Sequence, residues 1–396
     1  MSSMRNKLVL ASAAVTLPPL IILGWYGGSR IEGVLRSDGL ERLEARISGL
    51  SAQVERYLAG VDGDLLLLAD TPALAQYLLA SDSGDTALID AARKNLSLAF
   101  VRLSEIRGNY YQIRYIDSSG AERLRVDRDK DVTVVVAPDK LETRRSTPDF
   151  TSALKLPKGE VMISPVELNR EKGTLEDTPR PLLRYSTSVF DNTSRRRGVL
   201  IIGVSVDPIL KLIASAPEKG ETLFVADSGG AYLSHPNSAK LFGSDRDLAT
   251  GENLTKDYPE LGPKLLAATE LYKDEGKDVL TLARPIPIPG VTRGGLGVLV
   301  DQMPTEILYA KASGLRTVFN WLTLLALVLA LGFGLIVAQW VTGPIIKLTQ
   351  AVERMSKGDL DSPIESVSDD ETQKLASAME RLRKSMKLMI DKLSEE

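Results

Sequence analysis

The dominant hydrophobic feature of the chain is the segment Phe319–Val341, which contains no charged residue. A helix needs about 20 apolar residues to cross the hydrocarbon core of a bilayer, and lipid offers no partner for unpaired backbone groups. Trp321 and Trp340 lie near the two ends of the segment, where amphipathic rings favour the membrane interface. The pattern predicts a membrane-spanning helix over residues 318–341.

A second apolar segment, Leu8–Tyr26, follows the short basic stretch Met4–Lys7. Basic residues followed by an apolar core are typical both of a cleaved secretory signal and of an uncleaved anchor. The segment is longer than the usual apolar core of a signal, and no small-x-small cleavage site follows it. The sequence therefore favours an uncleaved span over residues 8–26.

The charges beside the two spans predict the orientation of the chain. Basic residues flank the outer ends of both apolar segments: Arg5, Lys7, Lys347, Arg354 and Lys357. Positively charged flanks favour the cytoplasmic side of a membrane. We therefore expect residues 1–7 and 342–396 in the cytoplasm and residues 27–316 on the other side of the lipid bilayer.

After the first span, apolar residues recur at alternating spacings of three and four: Leu40, Leu43, Ile47, Leu50, Val54, Tyr57 and Val61. This heptad pattern predicts a long helix over residues 31–69. The helix could pack on its own domain or pair with the same helix of a second chain in a homodimer. Both are compatible, because the apolar seam can contact a partner helix while the residues beside it pack on a sheet. Thr71 and Pro72 then begin another helix, and a further helix is expected over Thr86–Arg107.

From Tyr110 onward the pattern changes to short strands separated by turns. The turns Asp117–Ala121 and Asp227–Ala231 share the sequence Asp-Ser-x-Gly-Ala. In both halves a later apolar strand leads into a helix, so we predict two copies of one α/β module in tandem. The first copy is placed at about residues 86–210 and the second at about 211–308.

Composition narrows the possible chemistry. The formal net charge of −3 gives no reason to expect nucleic-acid binding, and the absence of cysteine rules out disulfides, thiol nucleophiles and cysteine-based metal sites. No phosphate-binding loop or nucleophile-elbow motif is present. The single histidine, His235, favours a structural hydrogen bond over a metal site. We therefore expect no cofactor and no metal.

A long helix emerging from the membrane, two PAS-like modules and a return to the second span resemble a double Cache sensor domain, over about residues 30–316. The segments Gln112–Asp117, Ile163–Glu171 and Leu183–Tyr185 are similar to the distal module found ahead of sensor kinases and diguanylate cyclases. The resemblance implies an α+β fold with a small-molecule site in the distal module, at about residues 109–206.

The stretch after the second span resembles a HAMP domain, with Pro344 at the position of the family's proline. Gly358–Ile364 matches the connector, with Leu360 and Ile364 as its apolar anchors, and Glu371 matches the acidic start of the second helix. Two heptad seams flank the connector: Ile345, Leu348, Val352 and Met355, then Leu375, Met379, Leu382, Met386, Met389 and Leu393. Two short helices cannot bury such seams alone, so we expect a parallel four-helix bundle in a homodimer.

Arginines that pair with carboxylates and tyrosines that wall a pocket are the candidate ligand contacts in the distal module. They are Tyr111, Arg114, Tyr115, Arg125, Asp127, Glu167, Arg184 and Tyr185. Arg184 is the strongest candidate because it lies in an apolar strand, where burial requires an anionic partner. That partner could be Glu167, Asp127 or a ligand. Amino-acid-binding members of the resembling family carry a pocket tryptophan, and all three tryptophans here lie at membrane ends.

Together these features predict a two-span receptor in a bacterial inner membrane, which senses a small ligand outside, with an anion as one candidate, and signals through its HAMP domain. No catalytic constellation is recognisable, and the sequence ends at Glu396, within or just past the second HAMP helix. The output would then belong to a further domain of a longer receptor or to a separate cytoplasmic partner. Two alternatives are a membrane-anchored adhesion or structural protein, which would need no HAMP seams, and an extracytoplasmic hydrolase using paired carboxylates.

Overall fold

The computed structural model describes residues 4–171, 173–289, 295–364 and 371–394. The chain forms two compact units. One unit is Gly39–Leu308, and the other combines Met1–Asp38 with Tyr309–Glu396.

Four helices open the chain: α1 Met4–Leu58, α2 Val61–Ala69, α3 Pro72–Ser83 and α4 Thr86–Arg107. The single helix expected over residues 31–69 is instead two helices, because the chain breaks at Gly60, whose φ is 81°. Glycine adopts this left-handed conformation without the clash that a Cβ would cause. Pro72 begins α3 with Thr71 in the N-cap position, as predicted.

The distal module contains a seven-stranded antiparallel sheet in the order β3-β2-β1-β9-β8-β4, with β5 also paired to β8. Its strands are β1 Tyr110–Asp117, β2 Glu122–Asp129, β3 Val132–Val135, β4 Met162–Ile163, β5 Glu167–Leu168, β8 Pro181–Phe190 and β9 Arg196–Ser205. The short helix α5, Pro148–Ala153, packs on one face of this sheet. A separate hairpin pairs β6, Arg170–Glu171, with β7, Thr174–Leu175.

The proximal module contains a five-stranded antiparallel sheet in the order β11-β10-β14-β13-β12. Its elements are α6 Asp207–Ala214, β10 Thr222–Ala226, β11 Tyr232–Ser234, α7 Leu254–Asp257, α8 Gly262–Leu266, β12 Tyr272–Glu275, β13 Val279–Pro287 and β14 Gly295–Pro304. One hydrophobic core joins both sheets to α1 and α2; it includes Ile47, Val54 and Leu65 from the helices. Both sheets therefore pack against the same two helices, α1 and α2.

The repeated Asp-Ser-x-Gly-Ala turns have the same geometry. In each, the carboxylate of Asp117 or Asp227 accepts the backbone N–H groups two and four residues ahead. The glycines Gly120 and Gly230 have φ values of 89° and 88°. The matching turns confirm that the sequence repeat is a repeat of structure.

The other unit contains the two helices that are apolar and long enough to span a membrane, as judged by length and composition. The first is the N-terminal part of α1, and the second lies in α9, Thr305–Ser356. Gly24 and Gly27 of α1 face Thr323 and Phe319 of α9 so closely that a Cβ on either glycine would crowd them. Small residues allow membrane helices to approach in this way.

The HAMP region consists of the end of α9 and α10, Glu371–Ser394. Because α9 continues through Pro344, the predicted span and the first HAMP helix are one uninterrupted helix. Leu348, Ala351, Ile364 and Ala376 form the small core between α9 and α10.

Candidate functional site: an arginine-lined cleft in the distal module

Arg184 lies on β8, and its side chain is only 9% exposed. Its Nη2 donates a hydrogen bond to Asn169 Oδ1 at 2.8 Å, and its Nη1 lies 3.5 Å from Glu167 Oε2. Burial lowers the pKa of Arg184, since desolvation disfavours the cation. Of the protein partners expected for Arg184, the structure places Glu167 beside it, whereas Asp127 pairs with Arg125 at 3.1 Å.

Arg184 and Glu167 line an open cleft of about 580 Å³, a size typical of small-molecule sites. The segment leading into α5, the strands β4 and β5, and the loop after β11 contribute to its walls. The charged residues that line it are Glu142, Arg144, Asp149, Glu167, Arg170, Arg184 and Arg246. Four of these are arginines and three are carboxylates, so the lining carries a net positive charge.

The charge of Arg144 is only weakly neutralised by the carboxylates of the protein. Arg144 is buried, yet its nearest carboxylates, Glu142 and Asp149, lie 3.6 and 3.5 Å away, and its Nε has no hydrogen-bond partner in the part of the chain that the structure describes. Charge-assisted hydrogen bonds are usually about 2.7–2.9 Å long. Burial, followed by repulsion from Arg144, lowers the pKa of the neighbouring Arg114 to about 10. An additional anion would be favoured in such a cluster.

Three of the predicted contacts lie in a buried ion network on β1 and β2 and are not part of the cleft lining. Arg114 pairs with Glu122 at 2.7 Å, and Arg125 pairs with Asp127. Arg125 Nη1 is 3.7 Å from Glu142, which does line the cleft. Burial raises the pKa of Asp127 to about 6, although Arg125 opposes this shift. This network therefore contacts the cleft lining through Arg125 and Glu142 without being part of it.

Tyr115 and Tyr185 lie on the opposite face of the sheet from Arg184, in the core shared with the helices. Tyr115 packs edge-on against Tyr77 of α3, with 5.8 Å between ring centroids, and donates to the Arg197 carbonyl oxygen. The reason is the alternation of a strand: adjacent residues point to opposite faces, so Arg184 and Tyr185 cannot wall the same pocket. The expectation that these two tyrosines line the site is therefore not met by the geometry.

Tyr111 is connected to Arg184 indirectly. Its hydroxyl donates to Glu176 Oε1 at 2.9 Å, and Asn169 Nδ2 donates to the same oxygen. Asn169 in turn accepts the hydrogen bond from Arg184. This chain of contacts fixes the guanidinium of Arg184 without placing Tyr111 in the cleft.

The cleft also touches the joint between the two modules. Glu167 lies between Arg184 and Arg246, the latter at 3.7 Å, and Arg246 Nη2 donates to Asp227 at 2.8 Å. The Asp247 carboxylate accepts the Leu168 N–H at 2.8 Å. Burial raises the pKa of Glu167 above its usual value, while Arg184 and Arg246 oppose the shift. One carboxylate therefore contacts both the cleft and the proximal module.

Sequence reasoning missed five of the charged lining residues: Glu142, Arg144, Asp149, Arg170 and Arg246. Glu142 and Arg144 lie in irregular chain, Asp149 in the six-residue helix α5, and Arg170 in a two-residue strand. These segments are too short or too irregular for a periodic pattern to indicate which side chains point inward. Arg246 belongs to the other module, so only the fold brings it to the cleft. Among the described residues, no group of three or more histidine, aspartate or glutamate side chains could hold a metal ion.

In the HAMP region, the predicted anchors Leu348, Leu360 and Ile364 are buried and Val352 is half-buried. Leu375 and Leu382, from the second seam, remain 50% and 54% exposed. Glu371 is exposed in the first turn of α10, and Gly358 has a φ of 97° in the connector. An apolar groove of about 410 Å³ runs between the helices, lined by Ile345, Leu348, Thr349, Val352, Glu353, Ser356, Leu375 and Met379.

Comparison with protein families gives two matches that agree with this architecture. Residues 61–281 match the model of the bacterial histidine kinase sensor domain, and residues 336–387 match the HAMP domain. The chain thus combines a sensor domain with a HAMP domain.

Two solved structures share the fold. The extracellular domain of the histidine kinase candidate vpHK1S-Z8 has a TM-score of 0.58 and 19% identity, covering 72% of this chain and 96% of that chain. A domain of a sensory box/GGDEF family protein from Vibrio parahaemolyticus has a TM-score of 0.58 and 18% identity, covering 69% of this chain and 99% of that chain. At these identities the similarity shows the fold.

A curated relative is the methyl-accepting chemotaxis protein McpC of Bacillus subtilis, 27% identical over 201 residues. The match covers 49% of this chain and 27% of the relative, so it spans about a quarter of the relative's length.

Proposed function

The chain belongs to the bacterial histidine kinase sensor domain family, and from this premise we propose that it is a transmembrane receptor for a small anionic molecule. The ligand binds in the cleft around Arg184, and the HAMP domain receives the signal. The observation that carries the proposal is that two buried arginines, Arg144 and Arg184, line a cleft of about 580 Å³ and have their carboxylate partners at 3.5 to 3.6 Å, longer than a usual charge-assisted hydrogen bond.

The chemistry of the cleft selects for an anion. Arg184 uses one guanidinium nitrogen on Asn169, while its other terminal nitrogen is 3.5 Å from Glu167. Arg144 has only long carboxylate contacts. A ligand carboxylate or phosphate placed between these guanidiniums would form shorter, bidentate bonds, which the protein's own carboxylates do not.

The route out of the cleft begins at Glu167. A ligand anion that binds Arg184 replaces Glu167 as its partner, and Glu167 then pairs with Arg246 alone. Arg246 also donates a hydrogen bond to Asp227, which directly follows β10. β10 is paired with β14, with Ala226 opposite Val298, and β14 ends at Pro304, directly before α9. Binding in one module is thereby coupled to the strand that leads into the second span.

We assign this receptor to a bacterial inner membrane, with both termini in the cytoplasm and residues 27–316 outside it. The basic flanks of the two apolar helices support this orientation. The open apolar groove beside Leu348 and Leu375 supports a homodimer, because a second HAMP helix pair would cover it. The chain is assigned no reaction of its own; it acts on a cytoplasmic output domain or partner.

A thermal-shift screen of the full chain in detergent tests the proposal. The probes are small carboxylates and phosphates, each compared with its neutral amide or ester. A binder at 100 times its Kd should stabilise the folded state by about 2.7 kcal/mol. We expect stabilisation by anionic probes and none by their neutral counterparts.

The variant Arg184→Ala should remain folded but lose this stabilisation, because removing one partner of a buried charge pair costs about 2–5 kcal/mol of binding. Arg123→Ala is the matched control, since Arg123 lies on β2 at the protein surface and pairs with Asp117. Equal stabilisation of Arg184→Ala and wild type would contradict the assignment. Unfolding of Arg184→Ala in the absence of probes would show that the residue is a structural ion pair.

A further inference from the structure

The proximal module contains a buried pair of carboxyl groups that lies outside the cleft. Asp301, in the middle of β14, is 2% exposed, and the Glu221 side chain, just before β10, is fully buried. Asp301 stands opposite Leu223 of β10 and Leu282 of β13. Both neighbouring strands therefore present apolar side chains on the face that packs against α1.

Among the described residues, one cation contacts the pair, and it does so through Glu221. Arg46, from α1, lies 2.8 Å from Glu221 Oε1 and also donates to the Ala216 carbonyl oxygen. Glu218 is mostly exposed and lies 3.8 Å from Arg46. Asp301 Oδ1 has no hydrogen-bond partner among the described residues. Arg46 can therefore neutralise one of the two buried carboxylates, but not both.

Two buried carboxyl groups that share a site cannot both ionise at neutral pH. Burial, reinforced by the hydrogen bond to Glu221 and its charge, raises the pKa of Asp301 to about 8, while Arg46 opposes the shift. Asp301 is therefore the carboxyl group of the pair that keeps its proton at neutral pH, while Glu221 is the one that contacts Arg46.

Asp301 and Arg46 lie on the two elements that continue into the apolar segments, so protonation of Asp301 can affect how these elements pack. Asp301 is three residues before the end of β14, and α9, with the second apolar segment, begins at Thr305. Arg46 is on α1, which also contains the first apolar segment. The three side chains connect the two elements of the sensor domain that continue into these segments.

We propose that Arg46, Glu221 and Asp301 form a proton-sensing site, in which loss of the shared proton loosens the packing of β14 on α1. The proton passes from the Asp301 carboxyl to water, which leaves two adjacent carboxylates facing one guanidinium. Their repulsion acts across a poorly solvated site, where it is stronger than in water. The ligand of this site is the proton, so the inference does not depend on what the cleft binds.

The sign of the effect follows from the raised pKa. The folded state holds a proton that an unfolded aspartate releases near its ordinary pKa of 3.8. The contribution of Asp301 to stability is thus complete below that value and is lost as the pH rises through about 8. The packed state is the low-pH state, and the loosened state is the high-pH state.

Infrared titration of the full chain in lipid nanodiscs tests whether Asp301 is protonated at neutral pH. A carboxylic-acid carbonyl band should persist at neutral pH and disappear with a midpoint near about 8. Asp301→Asn should remove this band, while Glu260→Gln, at an exposed position of the same module, should leave it unchanged. Absence of the band in wild type at neutral pH would overturn the proposal.

Hydrogen exchange tests whether the proton controls packing. Exchange of β14 amides in wild type, divided by that in Asp301→Asn at the same pH, should rise several-fold from about pH 6 to about pH 10. The ratio removes the intrinsic pH dependence of exchange. A ratio that stays constant would show a titrating carboxyl without a conformational role and would overturn the sensing site. If Asp301→Asn does not fold, Arg46→Gln gives the second test, since it should shift the infrared midpoint upward.

Discussion

At the scale of single residues, the two faces of one strand separate the binding chemistry from the core. Arg184 faces the cleft, whereas Tyr185 packs among the helices. The sequence shows that Arg184 is embedded in apolar residues and needs an anionic partner. The structure supplies the Glu167 carboxylate, together with the neutral amide oxygen of Asn169. Strand alternation could have separated Arg184 from Tyr185 in advance, but the contribution of Arg246 depends on how the modules meet, which no local pattern contains.

Gly198 is the residue for which the structure predicts a large effect on stability. Its φ is +151°, and a Cβ there would overlap the Ile116 carbonyl oxygen across the paired strand. In the second module, a Cβ added at Gly297 would overlap the Ala226 carbonyl oxygen in the same way. We expect Gly198→Ala to lower the free energy of unfolding by more than about 1 kcal/mol.

The control for this variant is Gly203→Ala in the same strand, where a Cβ would have its nearest neighbours at 3.7 Å. Denaturant unfolding of the two variants gives the comparison. If Gly198→Ala is as stable as Gly203→Ala, the close approach of Gly198 to the paired strand β1 is not a constraint on the fold.

At the scale of elements, heptad spacing predicted the HAMP helices well because their apolar positions recur regularly. Leu348 and Ile364 are buried as expected. The pattern did not indicate that Arg383 is buried, where it contacts Glu380 at 2.6 Å and donates to the Leu360 carbonyl oxygen. An arginine in a heptad is normally assigned to solvent, and only the path of the connector explains its burial.

The exposed half of the second seam predicts the dimer contact. Leu382 is apolar and 54% exposed, and Leu348 borders the open groove. Cysteines introduced singly at Leu348 or Leu382, into a chain that has none, should form disulfides across a parallel homodimer in membranes. The measurement is the initial rate of oxidative crosslinking.

Matched controls are cysteines at the adjacent exposed positions Lys347 and Arg381. A parallel four-helix bundle predicts that Leu348→Cys and Leu382→Cys crosslink several times faster than their neighbours. Equal rates at all four positions would exclude the bundle.

At the scale of the whole molecule, the covalent path from the sensor domain to HAMP is α9, which runs from Thr305 to Ser356. The sequence indicated the two spans and the two modules because long apolar segments and repeated turns are strong patterns. It did not indicate that Gly60 interrupts the N-terminal helix, since the heptad seam continues across the break. Packed helical bundles switch between discrete arrangements, so a small displacement of α9 can change the HAMP pair.

The most direct test of signalling along α9 is a flexible insertion between sensor and span. Two glycines are inserted after Gly314, and the best anionic probe from the thermal-shift screen is added to chains carrying Leu348→Cys. A ligand moves a conformational equilibrium only through its different affinities for the two states, so binding and response can be measured separately. The account predicts that the Kd for the probe changes little, while the probe no longer alters the crosslinking rate that it alters in the uninterrupted chain. A crosslinking response of full size across the flexible insertion would contradict transmission through this helix.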